Sequence, residues 1–332
     1  NATQLIEIPD GFSANMTEYV ENKGNTTMSA TVNFYALYSG SSVFEEVGSA
    51  ITDSLVESFN RIIAPNAVYT YKSTIIKGQP QLGVDPSVLS GLMISQAIAM
   101  PITILILLVY TMQIAATSVA MEKEEKTLET LLTLPMARFA ILMGKLSGSI
   151  FVAGVGALTY MIGFNFYMGS FTAAIPNGTN VDLASLGLVP SLFGYLLLGI
   201  SLFITLLSAL ALAVIISAFA EDVRSAQSLV GNIYPFIFIP SLILMYLDVN
   251  SLPFAVKILI YAIPYSHPIL AAKAVAMGDY MTAVLGIVYV AAFTLIIMYV
   301  ASRLFATEKI LTAKLKFSWL RRRGKTRVEE MQ

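Results

Sequence analysis

The residues best equipped for chemistry lie between Met121 and Lys145, MEKEEKTLETLLTLPMARFAILMGK. Glu122, Glu124, Glu125 and Glu129 supply carboxylates, and Lys123, Lys126, Arg138 and Lys145 supply cations, with the Thr127 hydroxyl among them. Leu128, Leu131, Leu132 and Leu134 form an apolar stripe beside these charges, and Pro135 breaks the helix they would build. Two behaviours fit such a segment. It is a solvated connector with Glu122 and Lys126 paired one turn apart, or an amphipathic helix whose polar end enters a groove on a partner or lies on the membrane surface.

Bond-making chemistry finds little to work with elsewhere. His267 is the only histidine, its nearest acids Asp248 and Asp279 are distant in sequence, and there is no H-E-x-x-H and no cysteine. A zinc or thiolate site therefore lacks its ligands, and His267 reads as a packing residue. Met277-Gly278-Asp279 resembles a fragment of an intramembrane aspartyl protease motif, but no uncharged stretch holds a partner Asp. A serine nucleophile would need a His or Lys beside it within a span, and neither occurs there. Gly144-Lys145 is followed by Leu146, and Phe139 stands where a phosphate-binding loop needs glycine. No cofactor is expected on this chain.

The elements that must hold these residues are membrane helices. Hydrophobic residues make up 56% of the 332 and charged residues 12%, about half the charge of a soluble domain. Five uncharged stretches, about 91–120, 146–168, 188–219, 225–247 and 281–302, are each long enough to cross a bilayer core of about 30 Å. None contains an ionisable Asp, Glu, Lys, Arg or His, so coupling to an ion gradient lacks the intramembrane groups it ordinarily uses. Gly144 and Gly148 at the start of the second stretch suit close packing against a neighbouring helix.

Charge sets the orientation. Residues 121–145, the turn at 220–224 and the tail from Arg303 hold fourteen of the twenty Lys and Arg, so they belong in the cytoplasm. Residues 1–88 and 169–187 then lie outside. Four N-x-[ST] sequons, at Asn1, Asn15, Asn25 and Asn177, fall on that same side. An odd number of spans beginning outside points to a further upstream span and to an external module that is incomplete at its start.

Residues 1–88 read as a small α/β module. Ser29–Tyr38 and Ala67–Ile76 are strand candidates, and Val43–Ile63 is an amphipathic helix with Val43, Val47, Ile51, Leu55 and Phe59 recurring at i+4. Residues 250–278 are apolar but broken by proline, with Lys257 and Lys273 placed to snorkel to the outer interface. The tail at 304–332, with Trp319 beside Arg321, Arg322 and Arg323, is either an interfacial helix on anionic lipid or an unstructured positive anchor. A net charge of −1 gives no pull toward nucleic acid. The fold class is thus an all-α polytopic membrane protein, five visible helices of six, carrying a small α/β external domain.

The 121–145 segment resembles the signature of type-2 ABC transporter permeases, E-R-E-x-G-T-L-E-x-L-L-x-x-P-x-x-R-x-x-I-x-x-G-K. Glu122, Lys123, Glu124, Thr127, Leu128, Glu129, Leu131, Leu132, Pro135, Arg138, Ile141, Gly144 and Lys145 fit it in register. Lys123 is a conservative departure, and Lys126 stands where the family usually has glycine. Leu5–Phe12, LIEIPDGF, resembles the external domain of permeases related to sodium-efflux and lipid-type exporters. Ala218–Gly231 resembles the family's second cytoplasmic turn, with Arg224, Ala226 and Gln227 in place, and Glu221, Asp222 and Arg224 are its charged site residues. The resemblance implies that 121–138 is a coupling helix docking into an ATP-binding subunit, with ATP and magnesium held there and not here. It also implies a second permease subunit, an external re-entrant helical pair at 250–278, and export. A non-transporting scaffold or sensor partnered with an ATPase is the alternative.

Overall fold

The computed structural model describes residues 4–22, 30–38, 45–63, 68–76, 78–82, 86, 89, 98–125, 138–174 and 190–306. By contact the chain divides into two compact units. One comprises Asn1–Leu105, Leu158–Leu202 and Ile237–Val288, and the other Ile106–Ala157, Phe203–Phe236 and Tyr289–Gln332.

The first unit opens with a four-stranded sheet in the order β1 (Gln4–Glu7), β2 (Ala30–Tyr38), β3 (Val68–Ile76), β4 (Gln79–Leu82). β1 and β4 are antiparallel edges, while β2 and β3 run parallel from Ala30 opposite Val68 to Tyr38 opposite Ile76. Parallel neighbours need a crossover, and helix α2 (Glu45–Ile63) provides it. Helix α1 (Phe12–Glu21) fills the step from β1 to β2. Tyr19, Ala30, Val32 and Val68 are the buried centre, with Phe12, Met16 and Val56 packed on it.

Helix α2 turns a different face to the sheet from the one its apolar stripe suggests. Ile51 and Leu55 are 55% and 60% exposed, whereas Thr52 is buried and Val56 packs on the core. Polar fastenings set this rotation. The Asn60 side chain donates to the Val68 carbonyl and accepts from the Val68 N–H, both at 2.8 Å, and Lys72 pairs with Asp53 at 2.8 Å. The half-buried amide thereby satisfies both backbone groups of Val68, which would be costly to leave unpaired.

Among the described residues five helices are long and apolar enough to cross a membrane, over Met100–Glu124, Ser147–Ser170, Leu192–Ser217, Val223–Tyr246 and Tyr280–Arg303. In chain order the elements that carry them are α3 (Met100–Glu124), α4 (Arg138–Ala174), α5 (Leu192–Ser217), α6 (Val223–Gly231) with α7 (Tyr234–Tyr246), and α10 (Tyr280–Ala306). Between the last two lie α8 (Phe254–Ala262) and α9 (His267–Ala276), joined through a short turn of helix at Pro264–Ser266 and bent by 91°. The bend follows from Pro264, which has no N–H to continue α8. Ser266 Oγ compensates by donating to the Ile260 and Ile263 carbonyls. His267 is 4% exposed beside the Tyr261 ring and against Gly286, so it packs as expected.

Lys273 is half-buried, and its ammonium donates to the Leu244 carbonyl near the C-terminal end of α7, where the helix dipole favours a cation. Lys257 hydrogen-bonds Asn250 at 3.1 Å. Gly278 (φ +78°) stops α9, and Asp279 then caps α10 by accepting from the Thr282 N–H at 3.2 Å and from its hydroxyl at 2.5 Å. The Met277-Gly278-Asp279 triplet is thus a helix stop followed by a helix start. No described atom comes within 4 Å of a Cβ built at Gly144 or Gly148. Close approaches occur instead at Gly194, against Val275 and Tyr280, and at Gly199, against Met161.

Candidate functional site

The charged end of the second unit is built where α3 runs out of apolar sequence. Its last turn is Met121-Glu122-Lys123-Glu124, closed by the Glu125 N–H on the Met121 carbonyl at 2.9 Å. Glu124 and Glu125 are exposed, and Glu122 and Lys123 are half-buried. Thr127, Leu128 and Glu129 lie outside the described residues, as do Lys126 and Pro135. Arg138 is the first residue of α4, and Lys145 follows two turns later in the same helix.

Lys123 is the junction of this end. Its ammonium donates to the carbonyls of Ala218 and Ala220, each at 2.7 Å. These belong to the turn that terminates α5, where Ala218, Phe219 and Ala220 donate back to Val214, Ile216 and Ser217. A helix leaves its last carbonyls without intrahelical donors and carries partial negative charge there. One ammonium with three donors answers both needs.

The turn continues directly into a closed N-cap. Ser225 N–H donates to Asp222 Oδ1 at 2.7 Å, and Ser225 Oγ accepts from the Asp222 and Glu221 N–H groups at 3.1 and 3.0 Å. This reciprocal box starts α6. The hydrogen bond from the Ser225 N–H, first among the causes, holds the exposed Asp222 carboxyl below the usual carboxylate range. A folded value below the unfolded one means that the cap stabilises the turn at neutral pH and is lost as pH falls through the lowered value. Glu221 and Arg224, like Asp222, are exposed.

Two further bonds tie α3 to the segment that leaves the turn. Gln227 donates to Thr117 Oγ1 at 3.4 Å, and Tyr234 OH donates to Gln113 Oε1 at 2.6 Å. Lys123, Thr117 and Gln113 therefore meet residues 218–220, 227 and 234 in antiparallel order. Beside them a groove of about 500 Å³ runs along one face of α3, past Tyr110, Gln113, Thr117 and Ser118 to Glu122 and Glu125. Among the described residues no three His, Asp or Glu side chains converge as metal ligands.

The structure thus brings together the two charged segments that the sequence singles out, through a residue that sequence reasoning did not single out as a site. Lys123 matches the signature only as a substitute for arginine, and nothing local shows that its acceptors lie 95 and 97 residues away. No curated protein matches this chain. The profile of the ABC-2 family transporter proteins, however, matches residues 1–303. That match takes in the N-terminal sheet, every candidate span and both charged turns, and the chain accordingly belongs to the ABC-2 family, as a multi-pass membrane component of an ABC transporter.

Proposed function

We propose that this chain is the permease subunit of an ATP-driven exporter, working as a pair of permease subunits with two ATP-binding subunits that hold the nucleotide and its magnesium. One observation carries the reading. Residues 100–121, 147–170, 192–217, 225–246 and 280–302 contain no ionisable Asp, Glu, Lys, Arg or His, so energy must arrive by contact and not from an ion gradient. The contact surface is the end of α3 with the segment after it, residues 121–138, acting as the coupling helix. Glu221, Asp222 and Arg224 offer a second contact. The sheet module resembles that of sodium-efflux and lipid-type exporters at Leu5–Phe12 and faces the outside.

An affinity-tagged chain purified from its own host in mild detergent should bring down an ATP-binding subunit with vanadate-sensitive ATP hydrolysis. Recovery of the chain alone would sink the reading. Orientation is tested separately, in a background that contains no native cysteine. An impermeant maleimide applied to intact cells should label a single cysteine at position 40 and leave one at position 130 untouched until the membrane is opened. The reverse pattern would place the charged end outside.

A further inference from the structure

We infer that Lys123 is a positioning residue that makes the end of α3 and the turn at 218–222 move as one body, so that a push on the first reaches α5 and α6. This rests on the docking role proposed for residues 121–138, which supplies the push. The geometry is specific. Lys123 is the one residue of the last turn of α3 whose side chain is seen bonded to both Ala218 and Ala220 carbonyls, and Ala218 and Ala220 are each only 2% exposed. Its two acceptors flank Phe219 in a turn whose own N–H groups are already committed to α5, and the next residues are committed to the cap of α6. Hydrogen bonds thus run without a break from the ammonium through the turn into both helices. Glu124 and Glu125 are exposed at this same end, so the last turn of α3 offers charge to a partner while Lys123 holds the turn behind it.

The bonds farther up α3 define what the latch controls. The Gln227–Thr117 bond is long at 3.4 Å, and the Tyr234–Gln113 bond lies beyond the break at Asn232–Ile233, where α6 gives way to α7. Both of these bonds lie farther from the docking segment than Lys123, which stands where force would enter.

The test uses the assembled transporter, with a single cysteine introduced at the exposed Ser228 of α6 as a reporter. The rate at which a maleimide labels that cysteine is compared with and without ATP plus vanadate, in the parent and in Lys123→Met and Lys123→Arg variants. The parent should show a nucleotide-dependent change in rate. Lys123→Met should retain the ATP-binding subunit but lose that change, its labelling ratio falling to one. Lys123→Arg, which keeps charge and donors, should restore it. Should Lys123→Met not be recovered as the assembled transporter, Lys123→Gln, which keeps a neutral donor, is read in its place. A full nucleotide-dependent change in either neutral variant overturns the latch. Loss of the ATP-binding subunit on neutralising Lys123 also overturns it, because the residue would then belong to the docking surface. Failure of the docking reading shows differently, as retention of the ATP-binding subunit when Glu122 and Glu129 are reversed.

Discussion

Reversing Glu122 and Glu129 together to lysine should strip the ATP-binding subunit from the purified transporter and abolish its permease-dependent ATP hydrolysis. The argument starts from charge. Glu122, Glu124 and Glu125 ring the end of α3, and Glu129 continues the series in the segment beyond it. Lys123, the cation among them, is turned toward the Ala218 and Ala220 carbonyls, and Glu124 and Glu125 are exposed at the same end. Losing one member of a hydrogen-bonded interfacial charge pair costs about 2–5 kcal/mol, and each 1.4 kcal/mol is a tenfold change in affinity. Two reversals should therefore weaken binding by well over a hundredfold, enough to empty the complex during purification. The sheet module has a buried core of its own, Tyr19, Ala30, Val32 and Val68, and should keep its protease resistance, since independent sites act additively. Wild-type recovery of the ATP-binding subunit, with unchanged hydrolysis, would remove the docking role from this helix.

Gly194→Ala should destabilise the membrane domain by about 1–2 kcal/mol net. A Cβ at this position would sit 2.6 Å from Val275 Cγ1 and 3.5 Å from both Pro190 Cβ and Tyr280 Cε1. Val275 is buried and β-branched, so its χ1 has one strongly preferred rotamer and little room to retreat. The Gly194 N–H also donates to Ser191 Oγ at 3.1 Å, and that oxygen meets the Tyr280 hydroxyl at 2.9 Å, which pins the start of α5. Overpacking of this kind costs about 1–3 kcal/mol, against a gain of up to about 1 kcal/mol from replacing glycine in a helix. Gly199→Ala is the control. There the obstructing group is the Met161 thioether chain, which is flexible enough to swing aside. Thermal unfolding in detergent should rank Gly194→Ala well below Gly199→Ala, and Val275→Ala should recover part of the loss. Equal midpoints for the two glycine variants would contradict the packing argument.

What the sequence disclosed depended on whether a residue's partners were local. The spans announced themselves by length and lack of charge, and β2, β3 and α2 by alternation and periodicity, each within two residues of its observed bounds. The edge strands β1 and β4 are four residues each, too short to show alternation, and α1 opens at Gly11 (φ +92°) with no side-chain cap to mark it. The face of α2 was misjudged because apolar spacing was weighed without Asn60 and Lys72, whose bonds cross between helix and strand. At the charged end, Glu122, Glu124, Glu125, Glu221, Asp222 and Arg224 could be picked out by type. Their connection through Lys123 could not, because a carbonyl acceptor has no side-chain signature. The same holds for the Leu244 carbonyl that accepts from Lys273.

The parallel pairing of β2 with β3 has a consequence for synthesis. β1 and β2 can zip as soon as residue 38 has emerged, and β3 and β4 pair from Ile76 opposite Gln79, close neighbours in sequence. The parallel ladder, however, must wait for residues 39–76. At a translation rate of about 5–20 residues per second, β2 stands with one open edge for roughly 2–8 s. During that interval a nascent neighbour could pair with it. Shortening the delay, or shielding that edge, is what a cell gains by keeping the crossover to a single helix.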